Sequence, residues 1–196
     1  MARIFAIVTI LFICSCRDKT SDEGDALFSQ GKYEEAIQAY DEYLKLYPTN
    51  VKSVYNRGRA YEELGEYKKA VDDFKKVVDI DPKNIQGYLS IGKDYYRKDD
   101  YPQAAFYFDK AVKIDETHAE SFFLKARANH KSGKTDEAMA DYSNAINLNK
   151  NLGEAYLYRG ALKSYLKKNS SACRDFRMAK SLEVEEADKA LQQYCR

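Results

Sequence analysis

The sequence predicts an all-α solenoid of stacked helix–turn–helix units, and three observations carry that prediction. Related residues return at a fixed period of 34 positions. Within each period, small and aromatic side chains fall at the same places. The composition, rich in Ala, Lys, Glu, Asp and Tyr with 3 prolines and no tryptophan, favours helix. The 196 residues suit one elongated unit, and 32 basic against 31 acidic residues give no basic excess, which argues against a nucleic-acid partner.

The first element, residues 1–15, stands apart from the repeats. Met1-Ala2-Arg3 is a short basic start, and Ile4 to Ile13 is an unbroken apolar run. That run is too short to span a bilayer and suits the apolar core of an export signal. It leads into Ile13-Cys14-Ser15-Cys16, which resembles the bacterial lipobox: an aliphatic, a variable and a small residue precede the cysteine that is lipidated. The resemblance implies that Cys16 carries lipid and opens the mature chain. Cleavage before Cys14 would place Ile13 at the cut, where such peptidases need a small side chain. The alternatives are a plain secretory signal cut nearby and an uncleaved anchor. Arg17, in place of the Asp that favours inner-membrane retention in some lipoproteins, points to the outer membrane. Residues 16–19 form a linker, and the three residues after Cys16 reach at most roughly 10 Å. Thr20-Ser21-Asp22-Glu23 then resembles a capping box that starts the first helix.

The repeats follow. Blocks beginning at Val51, Ile85, Ala119 and Gly153 align without a gap, and a further one lies upstream over residues 17–50. Numbering each block from one, position 20 is Ala36, Ala70, Ala104, Ala138 and Ala172. Position 24 is Tyr40, Phe74, Phe108, Tyr142 and Phe176. Position 8 is Gly24, Gly58, Gly92, Ala126 and Gly160. Small residues at 8 and 20 let two antiparallel helices approach closely, and the aromatic at 24 fills the space beside them. Position 30, with Leu46, Ile80, Ile114, Leu148 and Leu182, is read as core too. Gly31, Gly65 and Gly133 at position 15 mark the turn between the helices. Pro48 and Pro82 close two units, and Pro102 falls in the first turn of a second helix, where its missing N–H costs nothing.

This pattern resembles the tetratricopeptide repeat, most clearly in VKSVYNRGRAYEELGEYKKAVDDFKKVVDIDPKN at 51–84, which lacks chiefly the aliphatic residue usual at position 7. The resemblance implies a right-handed solenoid with units at 20–50 (its first helix truncated), 51–84, 85–118, 119–152 and a degenerate one at 153–184. The last unit has Lys167 at the turn and Asn169 at position 17. Residues 185–196 close the chain as a capping helix, with Ala187, Ala190, Leu191 and Tyr194 on its apolar face.

Two finer signals sit inside the repeats. Arg57 accompanies Asp73, Lys125 accompanies Asp141 and Arg159 accompanies Asp175 at positions 7 and 23, whereas the third unit replaces both members with Ile91 and Tyr107. An ion pair between the two helices of a unit is the simplest account, worth about 0.2 to 1 kcal/mol if exposed. The second signal concerns cysteine. If Cys14 leaves and Cys16 is lipidated, Cys173 and Cys195 remain in a compartment that permits disulfides. A bridge between them is one reading; a buried thiol and an unrelated terminal one is the other.

No catalytic or metal signature accompanies this architecture. His118 and His130 belong to no spaced ligand set, and no phosphate-binding glycine loop, nucleophile elbow or HExxH helix occurs. The expectation is a protein that is not an enzyme, with no metal, no cofactor and no small-molecule substrate. Function is expected on the surface that the resemblance implies, a concave groove lined by the first helices of successive units. Position 9 contributes Arg59, Lys93 and Arg127 before Ala161 ends the row. Position 5 contributes Tyr55, Leu89, Phe123 and Leu157 as apolar anchors, and Asn56, Tyr96, Arg97, Lys131 and Tyr158 fall around them. Such a groove suits a protein or peptide ligand carrying acidic groups. The co-chaperone version that clamps C-terminal carboxylates does not fit, since Ser21, Asp25, Asn56, Gln86 and Ser90 stand at its five positions and Asn56 alone matches. Two functions stay open: a lipid-anchored envelope scaffold that recruits a partner through the groove, and a permanent subunit of an envelope complex contacting partners by its convex face or terminal helix.

Overall fold

A computed structural model of the chain describes residues 21–195, so the expectations for Cys16, the signal and the Thr20 cap lie outside the described residues. Eleven helices and no strands make up the described residues. The first helices of the units are α1 (Ser21–Ser29), α3 (Val51–Glu63), α5 (Ile85–Arg97), α7 (Ala119–Lys131) and α9 (Gly153–Tyr165). The second helices are α2 (Tyr33–Leu46), α4 (Tyr67–Ile80), α6 (Tyr101–Ile114), α8 (Thr135–Leu148) and α10 (Asn169–Ser181), and α11 (Ala187–Tyr194) docks on α10. Contacts run chiefly between helices that follow one another in the chain, the mark of a solenoid.

Local chemistry sets each boundary. Asn50 and Asn84 accept hydrogen bonds from the backbone N–H of Ser53 and Gly87, both at 2.9 Å, and so cap α3 and α5. Each first helix ends in a turn whose fifteenth-position residue has positive φ: Gly31, Gly65 and Gly133 at 75°, 74° and 78°, Asp99 at 60° and Lys167 at 58°. The next residue returns its N–H to a carbonyl five positions back, as in Glu66 to Tyr61 at 2.8 Å and Lys168 to Lys163 at 2.9 Å. That bond reverses the chain and lays the second helix antiparallel against the first.

The core is the repeat pattern made solid. The position-20 alanines and position-24 aromatics are buried in all five units. A Cβ added at Gly92 would lie 2.5 Å from the ring of Phe108, so the close approach at position 8 is a steric requirement. One expectation is corrected: position 30 is not uniformly core, because Leu46 is 74% and Leu148 42% exposed. These leucines are the last residues of α2 and α8, whereas Ile80 and Ile114, last in α4 and α6, stay partly buried. The capping helix also starts two residues later than the sequence reading placed it, with Glu186 as its N-cap.

Candidate functional site

The paired charges at positions 7 and 23 form the frame on which the first helices sit. Arg57 donates from Nε and Nη2 to the two oxygens of Asp73 at 2.8 and 2.5 Å, and Arg159 holds Asp175 in the same forked way at 2.9 Å for both bonds. Lys125 Nζ lies 3.6 Å from Asp141. Each base also reaches backwards across the unit boundary, an arrangement the pairwise sequence reading missed. Arg57 meets Asp41 at 2.6 Å, Lys125 meets Asp109 at 2.9 Å and Arg159 donates to the Ser143 hydroxyl at 3.2 Å. All three acceptors occupy position 25 of the preceding unit. A sequence signal existed, since in the unit with Ile91 at position 7 the residue at that backward place is Lys75 and not an acceptor. The Asp73 hydrogen bonds hold the Arg57 guanidinium above its ordinary pKa, whereas burial pushes the Asp141 carboxyl up despite Lys125 beside it.

The position-9 row proves less uniform than its spacing suggested. Arg59 stacks over the ring of Phe28 on α1, 4.7 Å from its centroid. Lys93 pairs with Glu120 at 3.1 Å, both side chains about half exposed. Arg127 sits among three rings, 5.2 Å from the centroid of Tyr96, 5.1 Å from Tyr158 and 5.7 Å from Phe123. At the head of the row, position 9 is Asp25, which accepts from Tyr40 Oη at 2.6 Å and Asn56 Nδ2 at 2.8 Å and meets Lys52 at 2.6 Å. Burial raises the Asp25 carboxyl, but those three donors outweigh it and leave it below the usual carboxylate range. Asn56 is therefore committed to the frame.

Position 5 supplies fewer anchors than expected. Leu89 is fully buried and Phe123 is 4% exposed, so both pack the core instead of presenting apolar surface to a ligand. This corrects their assignment. Successive units are close enough that position 5 faces the neighbouring helix layer. Tyr55 is half-buried, its ring 5.5 Å from Phe74 and its hydroxyl 3.4 Å from that of Ser90. Arg97 pairs with Asp94 on its own helix and stacks over Tyr67 at 3.3 Å.

What the structure does bring together is a trough along α5, α7 and α9, centred on Arg127. One recess of about 200 Å³ is walled by Lys93, Tyr96, Arg97, Phe108, Leu124 and Arg127. A second, of about 420 Å³, is walled by Tyr96, Arg127, His130, Lys131, Tyr142, Tyr158 and Ala161. A third, of about 500 Å³, runs past Lys93, Glu120, Phe123, Arg127 and Glu154. Arg127 belongs to all three. Tyr142 stacks on Tyr158 with their planes 8° apart, which fixes one wall, and its hydroxyl lies 3.3 Å from His130 Nδ1. Burial, with Lys131 adding repulsion, holds the His130 imidazole below its ordinary pKa. Tyr96, Lys131 and Tyr158, read from the sequence as groove residues, all line this trough; Arg59, Tyr55 and Asn56 line none of its three recesses.

Elsewhere, Cys173 and Cys195 are joined, with S–S 2.05 Å and Cα atoms 5.7 Å apart. The bond ties α10 to the residue that follows α11. Among the described residues no group of three or more His, Cys, Asp or Glu side chains is placed to hold a metal ion, and no helix is long and apolar enough to cross a membrane.

Comparison with known proteins accords with this architecture. The tetratricopeptide-repeat family model matches residues 21–85 and 89–151. A crystal structure of MamA superposes with a TM-score of 0.75 at 24% identity, covering 84% of this chain and 96% of that one. MamA (residues 41 to the end) from Desulfovibrio magneticus RS-1 gives a TM-score of 0.75 at 19% identity, covering 83% and 92%. YrrB, described as a TPR protein with an unusual peptide-binding site, gives 0.73 at 20% identity, covering 90% and 94%. At these identities the likeness is one of fold. No curated protein sequence matches the chain.

Proposed function

The chain belongs to the tetratricopeptide-repeat family, and from that premise we propose that it is a lipid-anchored scaffold of the bacterial envelope that holds a partner's peptide segment in the trough of α5, α7 and α9. One observation carries the reading: three recesses meet at Arg127, giving a continuous concave surface with aromatic walls and basic rims. An extended peptide gains from such a surface by placing alternate side chains into the recesses, while the rigid helices spare the receptor any ordering cost. The described peptide-binding site of YrrB, on the same fold, supports the choice of a peptide as ligand. Anchoring rests on the sequence alone, on Ile13-Cys14-Ser15-Cys16 behind the apolar run. The residue after Cys16 is Arg17 and not the Asp that favours inner-membrane retention in some lipoproteins, which supports the outer membrane.

A permanent structural subunit is the second reading, favoured by Phe106, which is 52% exposed on α6 with Lys110 set over its ring at 5.0 Å. Two experiments separate and test these. Photo-crosslinking residues placed at Tyr96 and Tyr158 should capture a partner in intact envelopes, and one placed at Phe106 should not; the reverse pattern would favour the second reading. For the anchor, intact-mass measurement on membrane-extracted protein should find a lipid on Cys16, and Cys16→Ser should release the chain or trap its precursor. An unmodified N-terminus elsewhere would falsify the anchoring.

A further inference from the structure

We infer that Arg127 is the residue that reads the ligand: its guanidinium, caged by aromatic rings, takes one carboxylate of a bound peptide, while an adjoining apolar side chain enters the recess between Leu124 and Phe108. The inference rests on the groove reading above and narrows it from a row of bases to a single residue.

Four other bases of the neighbourhood already have charge partners, and Lys131, an exposed amine, lines one recess only. Arg57 and Arg159 are forked onto aspartates, Arg97 is paired with Asp94 and Lys93 with Glu120. Arg127 is different. Among the described residues no carboxylate forms an ion pair with it, and its positive charge is faced by the rings of Tyr96, Phe123 and Tyr158. Ring faces attract a guanidinium but accept no ordinary hydrogen bond from it, so its N–H groups still need acceptors. A carboxylate offers two oxygens in the matching fork geometry. The cage is also held in place from behind, since Tyr158 stacks on the buried Tyr142 and Phe123 is itself core. A guanidinium fixed before binding loses little rotamer freedom when the acceptor arrives.

Charge around it selects the sign and the direction of the ligand. Among the described residues no carboxylate lines the recess of Leu124 and Phe108 or the recess of His130 and Lys131, whereas Glu120 and Glu154 line the third. An acidic group is therefore attracted towards the first two, while in the last Glu120 and Glu154 offset Lys93 and Arg127. The smaller recess has apolar walls in Leu124 and Phe108, beside the guanidinium, and accepts the neighbouring apolar side chain. Arg59 does not share the task, because it stacks on Phe28 outside the trough.

The carboxylate can come from a side chain or from a peptide's C-terminus, and the test separates the two. Short random peptides are selected on the full-length chain in detergent micelles. Each selected sequence is then remade with an amidated C-terminus, and separately with its acidic side chains converted to amides. The expected result is that removal of one carboxylate weakens binding by about tenfold or more, and that Arg127→Gln does the same, while Arg59→Gln, outside the three recesses, changes it by less than about threefold. Arg127→Lys keeps the charge but loses the planar fork, so it too should lose about tenfold, with a melting curve close to wild type. Peptides that crosslink to α5, α7 or α9 yet bind Arg127→Lys at full strength would overturn the role of Arg127 and leave the groove standing. Peptides that crosslink only to other helices, or a selection that yields none, would overturn both.

Discussion

At the residue scale the most informative side chain is the base at position 7, because it belongs to two units at once. Arg57 bridges Asp73 within its own unit and Asp41 in the one before, so it fastens α3 both to α4 and to α2. Asp73→Ala leaves the half-buried guanidinium with Asp41 alone and should lower stability by about 1–3 kcal/mol in urea unfolding. The chain contains its own compensated alternative, with Ile91, Tyr107 and Lys75 at the corresponding places and the rings of Tyr95 and Tyr107 stacked at 5.3 Å. Arg57→Ile combined with Asp73→Tyr should therefore lose less than the two single changes added together; strict additivity would show that the pair is not coupled. His130 gives a second prediction. Its folded pKa lies below the unfolded value of about 6.5, so the unfolded state binds more protons between the two. Its contribution to stability is thus fully present above pH about 6.5 and is lost as pH falls through the folded value. Unfolding midpoints measured from acid to neutral pH should fall more steeply on acidification for wild type than for His130→Gln, since the variant lacks the titrating ring; equal slopes would refute it.

At the element scale the turn after each first helix is the device that makes a unit, and it was only partly legible. Gly31, Gly65 and Gly133 announced it in three units through the residue most at ease with positive φ. In the other two, Asp99 and Lys167 adopt the same left-handed backbone at 60° and 58°. Tertiary packing imposes the turn there against local preference, which composition alone does not reveal. Asp tolerates this conformation better than Lys, so Lys167→Gly is the more useful substitution. It should stabilise the protein by roughly 0.5–1 kcal/mol, with Asp99→Gly gaining less; a melting temperature that falls for Lys167→Gly would count against a strained turn. The ten repeat helices were legible, because the 34-residue period carries the small and aromatic contacts that two antiparallel helices need, whereas the start of α11 lies outside that period. The trough was less so. Whether position 5 faces a ligand or the next helix depends on how closely consecutive units stack, and that sent Leu89 and Phe123 to the core, while Tyr96 and Tyr158, at other positions, stay half-buried in the groove wall. The Asn50 and Asn84 caps stand at the last position of two units, where a side-chain acceptor ahead of a helix is itself a sequence signal.

On the scale of the whole molecule, a solenoid whose helices touch chiefly their chain neighbours should not have one uniform stability. Interior helices have a partner on both sides, whereas among the described residues α1 and α11 each have one flank without a neighbouring helix. Local opening therefore becomes easier towards the ends, and amide exchange should be slowest in α5 to α8 and fastest in α1. The C-terminal end has a compensation that the N-terminal end lacks among the described residues. Cys173 and Cys195, 22 positions apart, close a loop around α11, and Phe176 packs on Tyr194 with ring centroids 5.9 Å apart. A loop of that length restricts the unfolded end by an amount worth about 3 kcal/mol in the chain-entropy picture. Reduction should consequently speed exchange in α11 and α10, more weakly in α9, and leave α5 and α6 unchanged. The same comparison in Cys195→Ser should match the reduced protein without added reductant. If reduction accelerates exchange evenly along all eleven helices, the chain unfolds as one cooperative body and the neighbour-only description fails. If it affects α10 and α11 alone, the trough on α5, α7 and α9 is insulated from the redox state of the cap, and ligand affinity should be the same with the bond open or closed.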